Sequence, residues 1–286
     1  MRRSHLVSSQ HAAPSSTDRI TYYGPASKSM LTAKLGPVVI RLLCITNKFL
    51  TFKTYVVWFS EAPFDIDGAS GVTFMSCPKR VDLPGFSRKE QSTIVFNLDM
   101  SEDGLWRNLG KTSRQRIRKA EKEGVRICIN KGHEEFIKLN DRFRKLKGIP
   151  PHSVTSDYME RYGILFSAFL NDEILAGCFN LSDGRNMRGM IGATARLEVA
   201  PESRSMVSNA NRMLEWEMIK YARAKAMDTY DLGGYYTGDL PDPEKSNINE
   251  FKNSFGGKLV TRYDYRKDYS PVLKGVRTAM KALDMA

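Results

Sequence analysis

The chain has 286 residues, a formal net charge of +12, 41% hydrophobic residues and 27% charged ones, the balance of a soluble globular protein with a substantial core. Its longest apolar runs, Val38 to Cys44 and Tyr55 to Phe59, are strand-length and far short of the roughly 20 residues that cross a bilayer, which excludes a membrane-spanning helix. Cys44, Cys77, Cys128 and Cys178 are widely separated and the four histidines show no ligand spacing. This favours buried, reduced thiols in a cytoplasmic protein over a metal site.

Residues 1–30 are polar, with two early arginines and no apolar segment behind them; they read as a disordered tail and not as a secretory signal. Two β-rich runs between Pro37 and Ser60 flank Asn47-Lys48, which predicts a hairpin turning there. Gly71 to Cys77 and Thr93 to Leu98 add strands. Ser101 is a candidate helix N-cap with Glu102 and Asp103 placed well for the dipole, and Trp106 and Leu109 supply the apolar face. A second helix, about Thr112 to Glu123, ends at Gly124. A strand follows at Val125 to Ile129. An amphipathic helix then runs from Glu134 to Leu146, with Phe136, Leu139, Phe143 and Leu146 on one side.

Gly163 to Leu170, Glu173 to Leu181 and about Met187 to Ala195 form an antiparallel meander, turning at Asn171-Asp172 and Ser182-Asp183-Gly184. Met206 to Ala226 is the strongest helix, with Met213, Leu214, Met218, Tyr221 and Ala222 as its buried stripe. A short strand, Thr229 to Leu232, stops at Gly233-Gly234. A polar loop with Tyr235 and Tyr236 leads to a short amphipathic helix at Ile248 to Lys252 and a second glycine pair, Gly256-Gly257. A strand at Lys258 to Tyr265 and a helix from about Pro271 complete the chain. The order predicts an α/β (α+β) domain, a mixed sheet flanked by helices, over 91–286. A reduced β-rich subdomain is expected over 31–90. The order is also that of the acetyltransferase-like (GNAT) fold.

The net charge points to an anionic partner. Arg114, Arg116, Arg118, Lys119 and Lys122 crowd one helix; Arg142, Arg144, Lys145 and Lys147 crowd the next. The first of these suits either a solvated surface or non-specific phosphate contact, since no aromatic interleaving accompanies it. Before the long helix, a coenzyme A enzyme of this fold carries a glycine-rich turn that cradles pyrophosphate. Here Val199 to Asn209 contains no glycine, which disfavours coenzyme A bound in that manner. Arg204, between Ser203 and Ser205, is either a loop arginine or a ligand for phosphate or carboxylate.

The segment Asp228 to Gly257 has the order in which α/β enzymes present polar groups at a strand end, although spacing alone equally describes an ordinary strand–loop–helix connection. Lys252 is either a surface charge or a group that could stabilise an oxyanion. Asp231 could take a proton from an attacking amine or cap the following turn. No Ser-His-Asp or Cys-His pairing can be assembled, so no covalent acyl-enzyme is expected.

Four ordered stretches resemble the Fem family of peptidoglycan-bridge aminoacyltransferases: Trp106 followed by the Arg-rich helix ending at Gly124-Val125; Asn211, Leu214, Trp216, Ile219 and Ala222 on the long helix; Tyr230 to Gly234; and Phe251 to Gly257. The resemblance implies a GNAT-like fold and acyl or aminoacyl transfer to an amine of a cell-envelope precursor or polysaccharide. It implies an active-site role for Lys252; beside it Asp231 is expected to be catalytic, and Arg204, Asn211, Tyr230, Gly233, Gly234, Tyr235 and Arg118 to bind substrate. No tightly bound cofactor is implied. The donor would be aminoacyl-tRNA, held in part by its acceptor stem, or an acyl thioester. The acceptor would be phosphorylated or nucleotide-linked, with peripheral membrane contact. The Fem proteins have two such domains, and only the second is complete in this reading. The alternative from another class is an inactive module of the same fold that binds an anionic polymer or a partner protein.

Overall fold

The computed structural model describes residues 30–35, 38–49, 51–151 and 154–283. The tail expected over 1–30 lies outside these save for Met30, as do His5, His11 and His152. The described elements, in chain order, are β1 (Met30–Leu35), β2 (Val38–Phe49), β3 (Phe52–Trp58), β4 (Gly71–Cys77), β5 (Ser87–Phe96), α1 (Glu102–Asn108), α2 (Lys111–Lys122), β6 (Arg126–Ile129), α3 (His133–Leu146), α4 (Ser156–Tyr162), β7 (Gly163–Leu170), β8 (Glu173–Ser182), β9 (Asn186–Thr194), α5 (Arg204–Ala224), β10 (Thr229–Tyr235), α6 (Pro243–Asn253), β11 (Lys258–Asp268) and α7 (Pro271–Leu283). They form two units, one of residues 1–87 with 265–286 and one of residues 88–264.

In the first unit β1, β2 and β3 are antiparallel neighbours, and β4 adds to β3 in parallel. The hairpin expected between 37 and 60 is present, but Phe49 pairs with Phe52, so the chain reverses two residues beyond Asn47-Lys48, which remain paired in the ladder. Leu43, Val57 and Phe74 are buried inside this unit. The C-terminal residues belong here and not to the 91–286 domain. The Tyr265 hydroxyl donates to the Lys79 carbonyl and accepts from the Val81 amide, and Lys267 pairs with Asp65 at 2.6 Å. Those ties are long-range and leave no periodic mark in the sequence.

In the second unit the strand order is β11-β5-β10-β9-β8-β7-β6. The meander β7-β8-β9 turns as expected: Asn171 and Asp172 take φ of 49° and 65°, the left-handed pair of a tight hairpin. Helix ends also fall where the residues predict. The Ser101 side chain accepts from the Gly104 amide, and Gly124 follows α2 with a φ of 82°. Leu146 departs from expectation: it is exposed at the end of α3, whose buried face stops at Phe136, Leu139 and Asn140. α4, short and following a pair of prolines, has no apolar repeat long enough to announce it.

The long helix α5 starts two residues earlier than its apolar stripe. Its first turn has no side-chain cap, a deficit of about 1 kcal/mol. Its buried residues include Val207, Leu214, Met218 and Ile219, each contributing about 1.5–3 kcal/mol. Packing therefore decides that this helix forms. Met213 and Tyr221, expected in the stripe, are only half-buried, and Trp216 and Ile219 take their place.

Candidate active site

β9 and β10 pair in parallel only from Asn186–Thr229 to Arg188–Asp231. Beyond that register the two strands part. The gap opens into a cavity of about 680 Å³ walled by β9 from Gly189 to Thr194, by β10 from Leu232 to Gly234, and by faces of α5 and α6.

The end of the ladder is tied down. Arg188 and Asp231 form an ion pair with side-chain exposures of 6% and 9%. The Asp231 carboxylate also accepts from the Gly233 amide at 2.7 Å and from the Thr93 hydroxyl, which lies 2.7 Å from the Gly233 carbonyl as well. These bonds hold Gly233 at a φ of 78°, where an added Cβ would sit 2.8 Å from the Gly189 carbonyl oxygen. Only glycine fits. β10 does not stop at the glycines, as its composition suggests; it bulges between Asp231 and Gly234 and runs on to Tyr235.

α6 is longer than its apolar residues suggest, because Asp242 caps it through the Lys245 amide and Pro243 occupies the first turn. The Asn249 side chain accepts from the Tyr236 amide at 3.0 Å and donates to the Tyr236 carbonyl at 2.7 Å, joining α6 to the end of β10. Lys252, nearly one turn later, donates to the carbonyls of Gly233 at 3.1 Å and Gly234 at 2.6 Å. Two of its three N–H donors are thus fixed at the cavity wall. Burial, more than the Arg188 charge, lowers the ammonium below the usual lysine range, while Glu215 and Asp231 oppose that shift.

Glu215, which no motif singled out, faces the same cavity from α5. Burial raises its carboxyl from 4.5 to about 7, against the hydrogen bond from Tyr230 and the charge of Lys252. Its Oε1 accepts from the Tyr230 hydroxyl at 2.6 Å. Tyr230 is fully buried behind it and stacks on Phe96 at 5.7 Å. Glu215 shares a helical face with Asn211 and Met218, both at the cavity, and that spacing was the available sequence signal.

Of the residues expected to form the site, Lys252, Gly233, Gly234, Asn211 and Arg204 line the cavity. Asp231 and Tyr230 stand behind its wall, engaged with Arg188 and Glu215. Tyr235 does not line it, and its hydroxyl accepts from Asn253 at 2.9 Å. Arg118 is not at the cavity: it is exposed, 5.5 Å from the Trp106 ring, which in turn lies 5.1 Å from Trp216. The thiols also differ from expectation, for Cys44 and Cys77 are buried but Cys128 and Cys178 only partly so, and Cys178 opens onto the cavity. Phe255 is core as expected, whereas Phe251 is a cavity wall with Arg212 5.0 Å from its ring.

The segments carrying the resemblance meet in space. Ser254 accepts from the Gly110 amide at 2.8 Å and shares a hydrogen bond with Ser113. Gly256 lies so close to Asn108 that an added Cβ would be 2.5 Å from its carbonyl oxygen. The Phe-Lys segment is therefore seated on the turn between α1 and α2. Arg212 contributes a further cation: burial, then the charges of Arg116 and Arg196, lower it to about 10, and its Nε is buried without a hydrogen-bond partner among the described residues.

No protein-family model matches the chain, and no curated protein matches it by sequence. Solved structures do. The chain is similar to FemX, with a TM-score of 0.61 at 15% identity over 90% of each chain. It is similar to L-PGS from Bacillus licheniformis, with a TM-score of 0.52 at 12% identity over 87% of this chain and 84% of that one. The C-terminal domain of a putative lysylphosphatidylglycerol synthetase from Agrobacterium fabrum gives 0.50 at 12% identity, over 91% and 88%. These likenesses show the fold, an arrangement shared with FemX. The match to FemX covers more of the chain than the second unit alone could supply.

Proposed function

We propose that this chain is a Fem-like N-acyltransferase that moves an aminoacyl or acyl group from an activated ester or thioester to an amine of a cell-envelope precursor or polysaccharide. The observation that carries this reading is the pairing of Lys252, held by two glycine carbonyls, with the near-neutral carboxyl of Glu215 in one cavity. The acceptor amine attacks the donor carbonyl carbon and must shed a proton; the Glu215 carboxylate takes it. The carbonyl oxygen gathers negative charge, which the remaining N–H of Lys252 stabilises. Collapse of the tetrahedral intermediate breaks the bond to the leaving oxygen or sulfur, and the proton on Glu215 returns to it. Asp231 acts at one remove, by fixing the Gly233 turn that holds Lys252.

No covalent acyl-enzyme is needed. Cys178 opens onto the cavity, but burial raises its thiol away from the thiolate that would act as nucleophile. No histidine lines the cavity among the described residues. Arg196, Arg204 and Arg212 supply positive charge for phosphates of a nucleotide-linked acceptor or of a tRNA acceptor stem. A putative lysylphosphatidylglycerol synthetase of similar fold accords with aminoacyl transfer to an envelope component. A reaction drawing on aminoacyl-tRNA belongs to the cytoplasm. Among the described residues no helix is long and apolar enough to cross a membrane.

An inactive binding module would be favoured by a cavity plugged with Tyr235, Tyr236, Pro241 and Pro243, and none of these lines it. The test is amide formation, read by mass spectrometry, from charged tRNA and acyl thioesters with a pool of envelope precursors. Lys252→Ala and Glu215→Gln should each lose the product. Turnover at the wild-type rate by Lys252→Ala would sink the assignment.

A further inference from the structure

α7 keeps little of itself against the protein. Leu273 anchors it, buried against the backbone at Gly71, where an added Cβ would come within 3.1 Å of Leu273 Cδ2. Arg277, one turn later, pairs with Asp268 at 2.8 Å. On the adjoining face, Val272, Val276 and Met280 recur at i, i+4 and i+8, and they are 64%, 42% and 58% exposed. Such a stripe in water forgoes the burial that normally stabilises a helix of this length.

The charges on this helix are all of one sign. Between Pro271 and Leu283 there are Lys274, Arg277 and Lys281 and no acidic residue. In the helical repeat Lys274 falls on the side away from Val276, and Arg277 lies between the two. An apolar stripe backed by a basic face is the pattern of a helix that lies in the plane of a membrane surface. At about 20 Å long, from 1.5 Å per residue, α7 is too short to cross the roughly 30 Å hydrocarbon core.

We infer that α7 is a peripheral membrane-docking helix for an anionic bilayer. Val272, Val276 and Met280 enter the boundary between head groups and acyl chains, and Lys274 draws the helix to anionic head groups. A second copy fits the stripe less well, because two chains that each carry a net charge of +12 repel one another, whereas an anionic surface attracts both.

The test is co-sedimentation of the full chain with vesicles of phosphatidylcholine alone and of phosphatidylcholine with phosphatidylglycerol. The chain should sediment with the anionic vesicles, stay in solution with the neutral ones, and be released as salt rises. Val272→Glu, Val276→Glu and Met280→Glu combined should weaken anionic-vesicle binding on the order of 100-fold while circular dichroism stays unchanged. Lys274→Glu should weaken it less. Absence of binding to anionic vesicles, equal binding to neutral ones, or full binding by the triple variant would each overturn the proposal. So would a wild-type dimer in light scattering that becomes monomeric in the triple variant, since a second copy would then be what covers the stripe.

Discussion

Arg188 and Asp231 are the last register partners of β9 and β10, and their side chains close into a buried ion pair at the point where the two strands part. The pair sits where the ladder ends and the cavity begins. Asp231→Ala leaves a guanidinium buried without its counter-charge, and should cost about 3–5 kcal/mol in denaturant unfolding. Arg188→Met with Asp231→Leu should recover only part of that stability, because the buried Gly233 amide stays without its acceptor. It should not recover activity, because the Gly233 amide and the Thr93 hydroxyl would still have lost their acceptor.

Lys252→Ala should lower kcat about 100- to 1,000-fold, the usual effect of deleting one oxyanion donor. It should leave the unfolding midpoint close to wild type, because the carbonyls of Gly233 and Gly234 can hydrate from the cavity. Lys252→Arg should rescue poorly, since a planar fork cannot take the place of an ammonium set between two adjacent carbonyls. Steady-state kinetics beside thermal unfolding separates the two effects.

Glu215 makes both activity and stability depend on pH. Its carboxyl is raised from 4.5 to about 7 in the folded chain, so folding favours the protonated form. That contribution is fully present below pH 4.5 and is lost as pH rises to about 7. Glu215→Gln cannot ionise. It should therefore gain stability over wild type between pH 5 and pH 8, by at most about 3 kcal/mol. Turnover runs the other way: wild-type kcat/KM should climb through about pH 7 as the base form appears, and the variant should be low and flat. Unfolding and pH–rate profiles on both proteins check the opposed slopes.

Gly233→Ala and Gly234→Ala should behave differently despite being neighbours. The first forces a side chain to a φ of 78° and to 2.8 Å from the Gly189 carbonyl oxygen, and should cost about 2 kcal/mol or more. At Gly234 nothing lies within 4 Å of an added Cβ. That variant should fold normally, and its kinetic effect should be a change in KM.

Arg204→Glu should raise KM for a phosphate-bearing donor or acceptor with little effect on kcat, and the wild-type KM should rise with salt. A KM insensitive to both would remove phosphate recognition from this face.

Residues that act through local backbone chemistry were legible in the sequence. Ser101 and Gly124 mark helix ends, Asn171-Asp172 marks a turn, and Gly233-Gly234 with Lys252 line the cavity, because caps and positive-φ turns tie residue type to geometry within a few positions. Glu215 was not legible. A glutamate between Leu214 and Trp216 on a helix is ordinarily solvated, and only the parting of β9 from β10 places it at a cavity. Arg118 lies outside the cavity, over the Trp106 ring, on a helix whose start seats the Phe-Lys segment. The attachment of residues 265–286 to the first unit rests on Tyr265 and Lys267, whose partners lie nearly two hundred positions away.

The cavity is bounded to an unusual degree by main chain, for Gly177, Gly189, Gly192, Gly233 and Gly234 all face it. Mutation can only add atoms at a glycine; at Gly192 and Gly234 nothing lies within 4 Å of an added Cβ, whereas at Gly177 and Gly233 it would strike Phe136 and the Gly189 carbonyl. Any lineage that broadened its acceptor range had to do so through the few larger side chains, such as Met218, Ile191 and Leu197. Narrowing is open at Gly192 and Gly234 and closed at Gly177 and Gly233, where the fold itself forbids a side chain.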